Sequence, residues 1–333
     1  MNCRTLVALI LLCFIIGDAR AEDPVWPQIK TLKHPEIAGN HIYAVCGKDG
    51  VRIWGLRNRI FVERENGVVE SYSSENSSLA VVGTITDVAY ANHEIWVAQT
   101  APSQGLGVFK FDSQNWETCK FPDAPGLLNN YIVDIHVDKD EQIWFGHRFH
   151  GISRYVERVI PTFSNYKVMH LYDCHLLTTF MQLTHLWIGT TNGIVRLRTE
   201  QKSNYDLNVD KWVFPEFPAR EAFSVCDYDN DLVIAGTSRG LAIFDGKKWV
   251  LHGKNQGIKA LPVLHLQRNG HMVWIGSPAG LQLWSENRVG QLITEADGLP
   301  SSNITALALD ENGHLLVGTE KGAAMLSQPP QNY

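Results

Sequence analysis

One short phrase recurs along the chain at nearly regular intervals. It has two apolar residues, a Gly-Thr pair or a close variant, a short turn, and a second Gly followed by an apolar residue. The copies are marked by Trp54, Trp96, Trp144, Trp187, Ile234, Trp274 and Leu316, at steps of 40 to 48 residues. A period of this length, filled with short alternating segments, is typical of propeller blades.

Each unit has room for four short strands and shows no sustained helical periodicity. An alternating segment precedes the marker, as at Ile304–Leu309, and two more follow the second Gly, as in residues 240–250. Such a unit cannot bury both of its faces, whereas a closed ring of units can. The sequence therefore predicts an all-β fold, a seven-bladed β-propeller with four antiparallel strands per blade.

The two ends of the chain complement each other. The last unit has three candidate strands and then reaches Gln328-Pro329-Pro330 without a fourth. Residues 25–32 precede the first full unit and resemble the fourth strands at 211–214 and 248–251. We expect this N-terminal strand to complete the seventh blade and so to close the ring.

The first residues resemble an export signal. Leu6–Ile16 is an uninterrupted apolar run of 11 residues, followed by Ala19-Arg20-Ala21. The run is too short to span a bilayer, and the small residues fit a signal-peptidase site. We expect a signal peptide at 1–21, a single propeller domain at 22–333 and a periplasmic or extracellular location. No later stretch is apolar enough to predict an integral membrane segment.

Composition and spacing narrow the function classes. The net charge of −6 argues against a general nucleic-acid binder. Asp138-x-Asp140 and Asp227-x-Asp229 lack the further ligands of a calcium loop and are predicted to be turns. We expect no metal site and no cofactor. After signal cleavage the remaining cysteines form disulfides or are small buried thiols; they are Cys46, Cys119, Cys174 and Cys226.

The best-formed units resemble a known repeat family. Residues 298–304 (GLPSSNI) lead to 310–313 (DENG) and then to Leu316-Val317-Gly318-Thr319. Residues 126–132 lead similarly to Trp144-Phe145-Gly146. These units resemble the two-component regulator propeller repeats of extracytoplasmic sensor regions in bacterial hybrid histidine kinases. The resemblance implies a propeller of sensor type, here a stand-alone, exported one, and specifies fold far more than ligand.

The candidate ligand site is predicted at one mouth of the central channel. By analogy with propeller architecture, the turns after the second strands and the connections between blades share that face. His147-Arg148-Phe149-His150 replaces the small polar turn of the sister repeats and supplies two imidazoles and a guanidinium. The predicted ligand-binding residues are Arg57, His147, Arg148, His150 and Arg239.

Two function classes follow from this reading. The first is a binding propeller that recognises a glycan, a small anion or other small molecule, or a protein at the channel mouth. The second is a lyase or hydrolase whose acid or base is a histidine at the same mouth. The sequence favours binding, because no paired catalytic carboxylates or metal-ligand set is apparent in its linear spacing.

Overall fold

The architecture is a ring of small sheets. The computed structural model describes residues 28–121, 123–124, 127–149, 151–156, 158–164, 176–182, 185–198, 209–229, 232–286 and 288–328. Within these residues, 28 strands form seven four-stranded antiparallel sheets. The predicted seven-bladed β-propeller is confirmed.

Each blade contributes one strand to each of four concentric layers. The first, innermost strands are β2 (Ala44–Lys48), β6 (Thr84–Ala91), β10 (Ile132–Val137), β14 (Leu176–Gln182), β18 (Ser224–Asp229), β22 (His265–Asn269) and β26 (Ile304–Leu309). The second strands are β3 (Val51–Gly55), β7 (Glu94–Ala101), β11 (Ile143–His147), β15 (His185–Thr190), β19 (Leu232–Thr237), β23 (Met272–Ser277) and β27 (Leu315–Thr319). The third strands are β4 (Arg59–Arg64), β8 (Gln104–Phe111), β12 (Gly151–Val156), β16 (Gly193–Arg198), β20 (Gly240–Phe244), β24 (Gly280–Ser285) and β28 (Gly322–Leu326). The outer strands are β5 (Val69–Ser73), β9 (Trp116–Cys119), β13 (Arg158–Ser164), β17 (Val209–Trp212), β21 (Trp249–His252), β25 (Arg288–Ile293) and β1 (Ile29–Thr31).

The innermost strands enclose a central channel. Each contacts the innermost strand of both neighbouring blades, and β26 contacts β2, so that the circuit closes. Residues from the first halves of six of these strands line a cavity of about 260 Å³ inside it. The channel is therefore walled by equivalent positions of successive repeats.

The N-terminal strand closes the ring as predicted. β1 pairs with β28, with Ile29 opposite Leu326 and Thr31 opposite Ala324. The pairing continues one residue further, where the Leu32 N–H donates to the Ala323 carbonyl at 2.9 Å. This strand supplies the fourth strand that the last repeat lacks, and residues 25–27 of the predicted strand lie outside the described residues.

Two sets of segments share one face of the ring, which we call the mouth face. They are the turns between second and third strands and the connections between blades. The Gly39 N–H donates to the Lys321 carbonyl at 3.0 Å, and the Arg148 N–H donates to the Tyr131 carbonyl at 2.9 Å. The turns and the connections are thus hydrogen-bonded to each other, as the sequence analysis expected. None of the helices within the described residues is long and apolar enough to cross a membrane.

The predicted aspartate turn is confirmed at Asp138, whereas Asp227 lies within strand β18. Asp138 Oδ1 accepts the N–H groups of Asp140 and Gln142, and Oδ2 accepts the indole N–H of Trp144 at 2.9 Å. Asp227 is paired with Arg268 on the neighbouring blade. The carboxylates therefore serve turn and blade contacts. Among the described residues, no group of three or more potential metal ligands is present.

The described cysteines are thiols. Cys46, Cys119 and Cys226 are free, and Cys174 lies outside the described residues. Burial raises the pKa of Cys46 to about 12 and that of Cys119 to about 11. These thiols are therefore protonated at neutral pH and pack as small apolar groups.

The repeat tryptophans form the seams between blades. Their exposed fractions are at most 2%; they are Trp54, Trp96, Trp144, Trp187 and Trp274. The Trp187 ring lies 5.6 Å from Phe244 and 5.9 Å from Trp249, both on the next blade. The marker of each repeat is thus a packing residue, because alternation directs it into the space between two sheets.

Replacing Trp187 with alanine should lower the free energy of unfolding by about 3–5 kcal/mol, because it leaves a cavity in an aromatic cluster. The matched control is Phe214→Ala, since Phe214 is 63% exposed and its truncation should cost less than about 0.5 kcal/mol. Denaturant unfolding measures both. Equal stabilities of the two variants would show that the Trp187 seam contributes nothing.

Candidate functional site: a pocket on the mouth face

A cavity lies on the mouth face beside the ring closure. It has a volume of about 510 Å³ and is lined by Pro35, Glu36, Asn40, His41, Tyr43, Leu56, Arg57, Asn58 and Arg59. These residues come from the connection between β1 and β2 and from the turn between β3 and β4. The volume is in the usual range of small-molecule sites. We call this cavity the Arg57 pocket.

The connection that walls the pocket is anchored on the last blade. The Ile42 N–H donates to the Thr319 carbonyl at 3.0 Å, and the Gly39 N–H donates to the Lys321 carbonyl at 3.0 Å. Asn40 Nδ2 donates to the Glu36 carbonyl at 3.0 Å. These bonds fix the backbone on both sides of His41.

Arg57 supplies the positive charge of the pocket. It lies at an exposed two-residue turn, and its carbonyl accepts the Ile85 N–H at 2.9 Å. Within the described part of the chain, its guanidinium has no hydrogen-bond or ion-pair partner. An unpaired guanidinium presents a planar set of donors suited to carboxylate, phosphate or sulfate oxygens.

His41 and Tyr43 form an aromatic wall. Their rings are stacked, with centroids 4.0 Å apart. Burial lowers the pKa of His41, against the opposing charge of Glu320. The imidazole is therefore neutral at pH 7 and has one donor and one acceptor nitrogen. A flat wall of this kind suits a sugar ring or another compact ligand that packs while Arg57 holds its charge.

The remaining charges of the pocket are paired. Arg59 lies 3.5 Å from Glu36, and Glu36 also accepts the Ser71 hydroxyl at 2.6 Å. This pair links the pocket to β5 and leaves Arg57 as the cation that can serve a ligand.

The other predicted arginines lie on the same face but outside this pocket. Arg148 packs over the rings of Tyr131 and Phe149, at 5.2 and 5.8 Å from their centroids. Arg239 donates to the Pro218 carbonyl at 2.8 Å. The structure therefore places the predicted cations in separate sectors, on the first, third and fifth blades. His150 lies outside the described residues.

His147 is inside its blade and not on the surface of the turn. Its side chain is fully buried, and its Nε2 is 2.7 Å from the Ser153 hydroxyl. The equivalent position in four sister blades holds a buried hydroxyl that donates to the second Gly; these residues are Thr190, Thr237, Ser277 and Thr319. His147 therefore fills a structural position of the repeat with a larger polar side chain.

The channel beneath the pocket carries charges that the sequence analysis missed. Asp87 and Asp134 occupy the same step of β6 and β10, each directly after a bulge, and both line the channel cavity. His265 occupies the corresponding step of β22. The repeat could have revealed these residues, because their position on the first strand pairs with the first glycine of the repeated phrase. Asp134 pairs with Gly146, and His265 pairs with Gly276.

The channel groups have shifted protonation equilibria. Burial and the charge of Asp134 raise the pKa of Asp87 well above its usual range, although the N–H groups of Ile135 and Val88 oppose the shift. Burial lowers the pKa of His265 to about 4. Asp87 therefore holds a proton to higher pH than an ordinary carboxyl group does, and His265 is neutral at pH 7.

Comparison with known sequences supports the repeat assignment. Residues 126–149 and 298–321 match the family described as Two component regulator propeller. These are the two units on which the resemblance was based, so the chain contains two-component regulator propeller repeats. No curated protein matches the chain significantly.

Solved structures share the fold at low sequence identity. The extracellular domain assigned to the hybrid two component system BT3049 of B. thetaiotaomicron matches with a TM-score of 0.73, 17% identity and coverage of 92% of this chain and 42% of that chain. PorZ, a surface component of the type-IX secretion system of Porphyromonas gingivalis, matches at 0.68 and 14%, covering 86% and 46%. Virginiamycin B lyase of Staphylococcus aureus, in a catalytically inactive form with quinupristin, matches at 0.65 and 13%, covering 90% and 99%. The chain spans less than half the length of the first two, and all three likenesses show the fold alone.

The buried position of His147 predicts that its side chain stabilises the blade. His147→Ala should lower the free energy of unfolding by about 1–3 kcal/mol, because it leaves the Ser153 hydroxyl without its buried partner. His147→Thr should cost less, since it restores the residue type of the sister blades. Thermal and denaturant unfolding measure the series. A His147→Ala variant as stable as the parent protein would show that this imidazole does not support the blade.

Proposed function

We propose that this chain, a β-propeller with two-component regulator propeller repeats, is an exported binding protein that recognises a small anionic ligand in the Arg57 pocket. The observation that carries the proposal is the exposed guanidinium of Arg57 at the edge of a cavity of about 510 Å³. A charged donor that has no partner among the described residues and lies beside an aromatic wall is suited to bind an anion that also buries a compact body.

Export is part of the same proposal. The apolar run Leu6–Ile16 and the small residues that follow it support a signal peptide at 1–21. Two of the similar structures are an extracellular domain and a bacterial surface component. The propeller of residues 22–333 would then meet its ligand in the periplasm or outside the cell.

Binding is proposed in preference to catalysis at the turn after Gly146. The enzyme hypothesis depended on His147 and His150 as solvent-facing acid or base groups. His147 is buried, and its Nε2 contacts a hydroxyl of its own blade. The likeness to a lyase is a likeness of fold, and one fold supports many functions.

Titration calorimetry with matched anions and neutral compounds tests the proposal. The probes are glucuronate against glucose, and hexanoate against hexanol. The anion of each pair should bind the parent protein more tightly, and Arg57→Ala should weaken that binding about tenfold or more, because the charged hydrogen bonds are lost. Arg239→Ala is the matched control on the same face and should bind as the parent protein does.

The titration results can either overturn the Arg57 pocket as the binding site or move the site to another blade. Equal binding of anions and neutral compounds, or full binding by Arg57→Ala, would overturn the Arg57 pocket as the site. Loss of binding in Arg239→Ala together with full binding in Arg57→Ala would move the site to the fifth blade. Because Arg57 is exposed, the melting temperature of Arg57→Ala should stay close to that of the parent protein.

A further inference from the structure

The Arg57 pocket and the channel cavity adjoin each other. Tyr43 lines both. The Arg57 carbonyl accepts the N–H of Ile85, and Asp87 is two residues further along β6, or about 7 Å at the usual strand rise. A positive pocket on the mouth face therefore leads to a pair of carboxyl groups in the channel wall.

We propose that the ligand of the Arg57 pocket is zwitterionic, with its anionic group at Arg57 and an ammonium group in the channel beside Asp87 and Asp134. This inference rests on the proposed function, because it concerns the same ligand. It adds the chemical class: a molecule that carries a carboxylate, phosphate or sulfate at one end and an amine at the other.

The channel pair is better suited to an ammonium group than the acid in the pocket itself. Glu36 is neutralised by Arg59 and accepts the Ser71 hydroxyl. In the described residues no cation contacts Asp87, whose carboxylate is held by two backbone N–H groups. Those bonds fix the direction of the carboxyl group, and a ligand ammonium group can add a charged hydrogen bond to it when it ionises.

A third group in the channel points to the same ligand. His265 lines the cavity, and its imidazole has no hydrogen-bond partner within the described part of the chain. With its pKa lowered to about 4, it is neutral and does not repel a cation. A neutral imidazole accepts a hydrogen bond through one nitrogen. The channel thus offers an amine two carboxyl groups and a neutral acceptor.

Protonation of the pair supplies an independent signature. The titratable groups near Asp87 are Asp134 on β10 and Cys46 on β2, whose thiol pKa of about 12 keeps it neutral. Because the pKa of Asp87 is raised well above its usual range, the empty channel holds a proton to higher pH than an ordinary carboxyl group does. An ammonium group favours the ionised pair, so its binding releases that proton. Affinity for the zwitterion should therefore rise with pH toward the range in which the pair ionises by itself.

The test compares three probes that share one carbon chain: 6-aminohexanoate, hexanoate and hexylamine. Calorimetry on the parent protein should show that 6-aminohexanoate binds about tenfold or more tightly than hexanoate. Repeating the titration at several pH values, in two dilute buffers that differ in ionisation enthalpy and do not displace hexanoate, should reveal proton release with 6-aminohexanoate where the channel is protonated and none with hexanoate.

Two variants assign the subsites. Asp134→Asn should remove the advantage of 6-aminohexanoate and leave hexanoate binding unchanged, whereas Glu36→Gln should leave that advantage intact. Asp87→Asn serves as a second channel variant, with its melting temperature checked because Asp87 also joins β6 to β10. Arg57→Ala should weaken both carboxylates.

Each outcome bears on one of the two proposals. If hexanoate binds through Arg57 but the amine adds nothing, or if Asp134→Asn retains the full advantage, the zwitterion inference is overturned and the proposed function stands. If Glu36→Gln alone removes the advantage, the ammonium site is in the pocket and the channel assignment is wrong. If neither hexanoate nor glucuronate binds the parent protein, both proposals fail.

Discussion

The pairing of β1 with β28 is the interaction on which the remaining structure depends. A propeller of separate blades is held together by sheet-on-sheet packing around the ring, and it leaves two open edges unless the first and last blades are joined. Here the chain joins them with three residues, Ile29–Thr31, and continues through Leu32 into the connection that walls the Arg57 pocket. Closure and one wall of the candidate site are therefore built from one continuous segment.

The radial arrangement explains why two carboxyl groups from different blades lie close together in the channel. Equivalent positions on the inner strands face the same channel. Polar residues at such a position on neighbouring blades therefore lie near each other. Asp87 and Asp134 are such a pair, and burial with mutual repulsion raises the pKa of Asp87. The mouth face, by contrast, is made of turns, which carry Arg57, Arg148 and Arg239 without crowding them. A ligand that reaches from the mouth face into the channel therefore contacts a guanidinium at one end and carboxyl groups at the other.

The repeat phrase was sufficient to predict the number of blades, the strand order and the closing strand, because spacing and alternation are local properties. It also placed Arg57 on the correct face. It failed to show that His147 is buried, because the position after the first Gly was interpreted as part of an exposed turn; the buried hydroxyls of Thr190 and Thr237 show that it is interior. Asp87, Asp134 and His265 were missed because their proximity depends on ring closure across blades that are distant in sequence.

Amide hydrogen exchange where β1 pairs with β28 is the most direct test of whether the ring and the pocket depend on this pairing. The amides of Leu32 and Ser327 bond to carbonyls on the opposite strand, at Ala323 and Gln28. If the closing strand holds the ring and the pocket together, these amides exchange as slowly as those of the inner strand β26, because they open only when the ring opens. Exchange at the rate of an unstructured segment, with the β26–β28 ladder still protected, would contradict the account, since the ring would then stay closed without its N-terminal strand.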